Sequence, residues 1–193
     1  MIFLVDDDTA VTSACQFLLS GMGYAAQSWN SSAQFLAEAQ LQQEGVVLLD
    51  MSMPSPDGHE TFRIMRQRET TLAVVFLTGH GDIQMAVREV RRGAVDFLQK
   101  PVSNNPLKTA IERGYHCSRQ LNELLIVKQR YQLLTVKEKQ IAECVMAGAI
   151  NKDIADQLYI SVRTVEVHRA KVMEKMAATS LAGLVSDLNR IKG

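Results

Sequence analysis

Polar side chains of complementary chemistry follow short apolar runs at four places in the first hundred residues. Asp6 and Asp7 follow residues 2–5, Asp50 follows 46–49, Thr78 follows 72–77, and Lys100 stands just beyond Phe97 and Leu98. Gathered together, three carboxylates, a lysine and a hydroxyl suit phosphoryl transfer to aspartate better than hydrolysis of a carbon ester. Clustered carboxylates repel one another and call for a divalent cation. Mg²⁺ fits, because it is commonly held by one or two carboxylates with waters and phosphate oxygens. Asp50 then acts as the nucleophile, the metal offsets charge on the equatorial oxygens, Lys100 adds a fixed positive charge and Thr78 donates a hydrogen bond. Singly, each residue has a plainer reading: one of Asp6, Asp7 and Asp8 caps a helix, and Lys100 is a solvated lysine before Pro101. The combination of all four strand ends is what favours a site.

Such a site needs elements that bring distant residues to one edge. The runs 2–5, 24–26, 46–49, 72–77 and 97–98 read as strands, short and continuously apolar, hence buried on both faces. Helices alternate with them: one after Asp8 ending at Gly21, one opened by Ser31 and Gln34 at capping-box spacing, one after Gly58, one over about 83–92, and a fifth after residues 103–106. Strict alternation predicts a five-stranded parallel doubly wound α/β sheet with right-handed crossovers. In such a sheet all strands end at one edge, where ligands bind.

The 193 residues carry 21 Lys plus Arg and 21 Asp plus Glu, are 47% hydrophobic, and suit globular domains rather than disorder or coiled coil. The balance is uneven along the chain. Residues 1–129 hold 11 basic and 14 acidic side chains, and 130–193 hold 10 and 7, so the second part could meet a polyanion. No apolar run approaches the roughly 18 residues of a membrane span, and a soluble, cytoplasmic protein is expected. Cys15, Cys117 and Cys144 read as small buried residues, without a disulfide framework or zinc site. The fifth helix continues to about Arg130 as a linker. Beyond it the pattern is wholly helical: Thr135 and Glu138 at capping-box spacing, Gly148 as a stop, a helix from Asn151 to Leu158, another after Ser161 to about Met176, and a last one after Ser180. The tight turn at 159–161 makes a helix-turn-helix candidate. The expected divisions are 1–104, 105–130 and 131–193.

The segments Val5-Asp6-Asp7-Asp8, Leu49-Asp50-Met51-Ser52-Met53-Pro54 with Asp57-Gly58, Phe76-Leu77-Thr78-Gly79-His80-Gly81 and Phe97-Leu98-Gln99-Lys100-Pro101 resemble the flavodoxin-like receiver domain of two-component response regulators. Asn151-Lys152-Asp153-Ile154-Ala155 and Arg163-Thr164-Val165-Glu166-Val167-His168-Arg169, with 135–138, resemble the four-helix LuxR-type helix-turn-helix domain of the FixJ subfamily. Within that family the segments 6–12, 45–51 and 72–103 are similar to regulators of tetrathionate respiration. The resemblance implies that Asp50 is the phosphoacceptor of a sensor histidine kinase. It also implies that Asp7, Asp50 and the Ser52 carbonyl bind Mg²⁺ while Asp6 holds a metal water, and that Thr78 and Lys100 contact the phosphoryl group. Phe97 becomes an aromatic switch and Lys100–Pro101 a cis peptide. Ser52 stands where many relatives carry Arg. A backbone ligand there should preserve metal binding while access to the site and phosphoryl lifetime change. His80 reads as an exposed loop histidine rather than an acid or base.

The same resemblance implies a homodimer on phosphorylation through the fourth and fifth helices and last strand, inverted half-sites in promoter DNA, and contact with RNA polymerase. On the helix beginning at Val162, Arg163, Arg169, Lys171 and Lys175 outweigh Glu166 and Glu174, while Val165, Val172 and Met176 mark the core face. Arg163, Glu166, Val167 and Ala170 are placed for base edges, Glu166 suiting a cytosine amino group and Val167 a thymine methyl. Lys152, Thr164, His168 and Lys171 are placed for phosphates. The competing readings are an aspartyl-phosphate phosphatase, which leaves the basic helical tail without a purpose, and a receiver acting through protein contacts alone.

Overall fold

The structure, a computed structural model, describes residues 1–79 and 83–192, and only the backbone of 83–86; His80 lies outside the described residues. Strands β1 (Ile2–Val5), β2 (Ala26–Trp29), β3 (Val46–Asp50), β4 (Ala73–Thr78) and β5 (Asp96–Gln99) form one parallel sheet in the order β2-β1-β3-β4-β5. β1, β3 and β4 are buried throughout, as continuous apolar runs require. The edge strands differ. β2 lies at 26–29 rather than 24–26, and both β2 and β5 are only partly buried. An edge strand needs fewer apolar residues than a central one, so Gln27 and Ser28 belong to β2 although they interrupt its hydrophobicity.

Alternate residues of the central strands enter two cores, the period-two consequence of a pleated backbone. Phe3, Val5, Val47, Leu49, Val74 and Phe76 share one with Phe35 and Phe62; Ile2, Leu4, Val46, Leu48, Val75 and Leu77 share the other with Cys15, Leu19, Leu107 and Ile111. Leu48 is fully buried, so its replacement by Ala should cost about 2 to 5 kcal/mol. The flanking helices are α1 (Thr9–Gly21), α2 (Ser32–Glu38), α3 (Gly58–Gln67), α4 (Ile83–Arg91) and α5 (Asn104–Gln132). α5 begins before Pro106 rather than after it. Proline is tolerated there because N–H groups in the first turn have no intrahelical partner.

Contacts divide the chain into two compact units, Met1–Asn122 and Glu123–Gly193. The second contains α6 (Val136–Met146), α7 (Asn151–Leu158), α8 (Val162–Lys175) and α9 (Leu181–Lys192). Thr135 and Glu138 form a reciprocal capping box, Ser161 accepts from the Thr164 amide, and Ser180 accepts from the Gly183 amide. Tyr159 turns the chain between α7 and α8 in the left-handed region. Ile141, Ile154, Val165, Val172, Met176, Leu184 and Leu188 pack into one core. Cys15 and Cys144 are buried, but Cys117 is partly exposed, which corrects the expectation for that residue.

Candidate functional site

The parallel register places the ends of β1, β3, β4 and β5 on one edge of the sheet, and the polar residues named above stand there. Local chemistry sorts the three consecutive aspartates. Asp8 Oδ1 accepts from the Ala10 amide at 2.8 Å and caps α1, whereas Asp6 Oδ1 accepts from the Asp8 amide at 3.0 Å. Asp6 and Asp50 are buried and Asp7 is exposed; one carboxylate oxygen from each lies within 4.8 Å of the others. Lys100 Nζ sits 2.7 Å from Asp6 Oδ2 and 2.8 Å from Asp50 Oδ1.

A single ammonium among three carboxylates leaves negative charge in excess. The buried Asp6 Oδ2, although in ion-pair contact with Lys100, has no donor aligned with it as a hydrogen bond. Burial raises the Asp6 pKa and Asp50 adds to the rise, against the opposing pull of Lys100 and the Asp8 amide. For Lys100, burial works to lower the pKa, but the Asp50 and Asp6 carboxylates prevail and hold it above the ordinary lysine value. Three hard oxygen donors with surplus negative charge and an under-satisfied buried oxygen fit a Mg²⁺-type cation. The buried Cys15 thiol is pushed up to about 11, first by burial and then by Asp6, and is no nucleophile at neutral pH.

The Thr78 hydroxyl is buried and donates to the Leu98 carbonyl at 3.4 Å; the Lys100 amide donates to the Thr78 carbonyl at 2.8 Å. Phe97, half-buried, packs against the core beneath α3. The chain after Asp50 returns tightly, with the Gly58 amide donating to the Met51 carbonyl at 3.2 Å. A Cβ at Gly58 would stand 2.1 Å from the Asp50 carbonyl oxygen, so the close return requires glycine. The Ser52 side chain is exposed. Both Ser55–Pro56 and Lys100–Pro101 are cis; sequence reasoning names only the second.

In the second unit, Arg163, Glu166, Val167, Ala170 and Lys171 are exposed on α8, while Val165 and Val172 are buried. Offsets of three and four residues put the exposed five on one helix face. Lys152 is exposed, and Thr164 and His168 are partly buried. His168 Nδ1 is buried without a hydrogen-bond partner. Two cations of the basic excess have protein partners instead of a free head group. Arg169 donates to Asn151 Oδ1 at 2.6 Å, tying α8 to the start of α7, and Lys175 contacts Glu138 at 2.6 Å and the Leu133 carbonyl at 3.2 Å. These partners lie 18 and 37 residues away, beyond the reach of helical periodicity.

Residues 2–112 match the response regulator receiver domain, and residues 132–187 match bacterial regulatory proteins of the luxR family. The tetrathionate response regulatory protein TtrR of Salmonella typhimurium is 55% identical over 95% of this chain and 89% of its own length. The transcriptional regulatory protein FixJ of Rhizobium meliloti is 38% identical over 95% of this chain and 92% of its own. The solved structure of the response regulator StyR is 35% identical, covers 98% of each chain, and superposes with a TM-score of 0.70. The chain thus belongs to the two-component response regulators, as a transcriptional regulator in which a receiver domain precedes a LuxR-type DNA-binding domain.

Proposed function

We propose that this regulator is an activator switched by phosphorylation of Asp50. The observation that carries the reading is the surplus of carboxylate over cation at Asp6, Asp7, Asp50 and Lys100, beside a buried hydroxyl on the neighbouring strand. An Asp50 carboxylate oxygen attacks the phosphorus of a phosphohistidine on a sensor kinase; the P–N bond breaks and an acyl phosphate forms. Asp7, Asp50 and the Ser52 carbonyl, with Asp6 acting through a water, would hold Mg²⁺, which supplies charge neutralisation of the phosphoryl oxygens. Lys100 binds the phosphoryl oxygens with a charge its neighbours keep in place. Thr78 exchanges the Leu98 carbonyl for the phosphoryl group, and Phe97 turns into the space this opens.

The phosphorylated receiver then forms a homodimer through α4, β5 and α5, and α5 continues over 105–130 as the linker to 131–193. Two copies of α8 reach inverted half-sites one DNA turn apart. Arg163, Glu166, Val167 and Ala170 read base edges, Lys152, Thr164, His168 and Lys171 hold phosphates, and Arg169 positions α8 through Asn151. RNA polymerase is the downstream partner. Among the described residues no helix is long and apolar enough to cross a membrane, and a cytoplasmic site of action follows from a kinase and DNA as partners. Likeness to TtrR supports genes of tetrathionate respiration as targets. The test is selection of genomic fragments by the acetyl-phosphate-treated protein. Enrichment of promoters beside tetrathionate genes only after treatment is expected; enrichment independent of phosphorylation overturns the switch. A phosphatase reading requires turnover of an external phosphoester and gives the exposed α8 face nothing to do.

A further inference from the structure

A second charged site lies away from the acidic edge, in a cavity of about 330 Å³ lined by His59, Phe62, Arg63, Arg66, Glu89 and Arg92. Its anchor is Glu89, whose side chain is 1% exposed. Glu89 Oε1 is 2.9 Å from His59 Nδ1 and 3.1 Å from Arg92 Nη1. One buried carboxylate therefore holds a donor on α3 and another beyond the end of α4 at fixed positions. Arg92 Nη1 also lies 3.3 Å from His59 Nε2, which closes the triad.

Glu89 offsets one positive charge, and three guanidiniums line the same cavity. Arg63 makes only an exposed contact with Glu60 at 3.4 Å, and no ion pair to Arg66 is present among the described residues. Gly93 adopts φ +105, and a Cβ there would stand 3.7 Å from Arg66 Cζ. The backbone thus runs bare past the guanidinium. Guanidinium N–H groups form planar forks suited to the paired oxygens of tetrahedral oxyanions. We propose that the α3–α4 cleft binds a small, multiply charged oxyanion of the phosphate class, with Arg66 as its principal ligand, Arg92 and Arg63 as flanking donors, and the Glu89 carboxylate as the brace that orients Arg92 and His59. α3 is the helix that follows β3 and its Asp50, and α4 is the helix that follows β4 and its Thr78, so an anion there would join the two helices next in the chain after these residues of the acidic edge. The assignment does not depend on the role of Asp50.

Titration of the full chain with sodium pyrophosphate, followed by amide NMR in chelator and at constant ionic strength, tests this. Saturable shifts are expected at His59 and Gly93, equally in the wild type and in Asp50→Asn, which separates this cleft from the phosphoacceptor edge. Arg66→Ala should weaken binding about tenfold, the loss of one charge-assisted contact, and Arg66→Lys should weaken it less. An unchanged thermal midpoint for Arg66→Ala would show that the loss is not unfolding, and Arg66→Gln gives a second reading if the alanine variant is unstable. Shifts that never saturate, that sodium chloride reproduces, that survive Arg66→Ala, or that occur only over residues 163–171 overturn the site. A response to acidic peptides but not to pyrophosphate overturns the ligand class.

Discussion

Each unit of the chain holds a lysine against buried carboxylate, and the two arrangements have opposite electrostatics. In the second unit Glu138 accepts from Lys175 at 2.6 Å and from the Thr135 amide at 2.8 Å, and these partners lower its pKa to about 2. Lys175 is shared with the Leu133 carbonyl. One ammonium answers one carboxylate, and Oε2 of Glu138 takes both contacts. In the first unit Lys100 serves both Asp6 and Asp50, Asp7 adds a third carboxylate, and the Asp6 pKa is raised rather than lowered. The contrast separates an ion pair whose charges match from a cluster that keeps negative charge in surplus and could hold a cation. A buried carboxylate costs stability when its charge is not answered, and a site that tolerates this cost is a candidate for chemistry.

The contrast breaks most severely at Asp50. Asp50→Asn should abolish phosphoryl incorporation from acetyl phosphate, since the amide is a far poorer nucleophile and weakens the cation site; chelation of Mg²⁺ should do the same to the wild type. Incorporation of an acid-labile phosphoryl group at the wild-type rate, read by intact mass, would defeat the assignment. The same substitution removes a repelling charge, so the metal-free thermal midpoint of Asp50→Asn should equal or exceed that of the wild type. A smaller effect is expected for Thr78→Ala. It should still accept phosphate but dimerise several-fold less after treatment with a phosphoryl analogue, because the hydroxyl proposed to exchange the Leu98 carbonyl for the phosphoryl group is missing. Equal sedimentation of the two proteins would remove Thr78 from the switch.

The balanced pair should respond in the other direction. Glu138→Ala removes one half of a capping box and the partner of Lys175, and should destabilise the second unit by about 1 to 2 kcal/mol. The sign of its pH dependence follows from a folded pKa of about 2 against an ordinary value of 4.5. Glu138 contributes stability that is fully present above about pH 4.5 and is lost as pH falls toward 2. Wild type and Glu138→Ala should therefore differ in denaturant midpoint at neutral pH and converge near pH 2. A constant difference across that range would show that the carboxylate charge is not what Glu138 contributes.

These same residues show what a sequence makes legible. The acidic edge could be read because each of its members stands within two residues of the end of a short apolar run, and a parallel sheet brings such strand ends to one edge. The two units could be read from the change in hydrophobic period, and Asp8, Thr135 and Ser161 from capping chemistry within four residues. Interactions between remote elements could not. Glu89 looks like a solvated helix residue until His59, 30 positions earlier, is found against it. Ser118 is fully buried because it accepts from the Gly45 amide at 2.9 Å and donates to the Thr71 carbonyl at 2.6 Å, and no local pattern announces either partner. Arg169 and Lys175 were equivalent to Lys171 by composition. Burial and partners alone separate them.

That separation leads to the smallest effects, on the exposed face of α8. Among the described residues no ion pair to Glu166 is present, in contrast to Glu138 with Lys175, and its proposed partner is a cytosine amino group. Glu166→Ala should relax preference at one base pair by roughly 1 to 3 kcal/mol, with non-specific affinity unchanged or higher as an acidic group leaves the DNA surface. Lys171 is the counterpart of Lys175 without the carboxylate: it is exposed, and no ion pair holds it among the described residues. Its charge is therefore available to a phosphate. Lys171→Ala should weaken binding to every sequence alike and lower the slope of log affinity against log salt by about one, because one fewer counterion is released. Lys175→Ala should leave that slope unaltered and lower the thermal midpoint instead. Binding of the three variants to single-base operator changes at two salt concentrations decides between them. If Glu166→Ala lowers affinity uniformly, or if Lys175→Ala and Lys171→Ala change the slope equally, then the division between cations that hold the domain and cations that hold DNA fails.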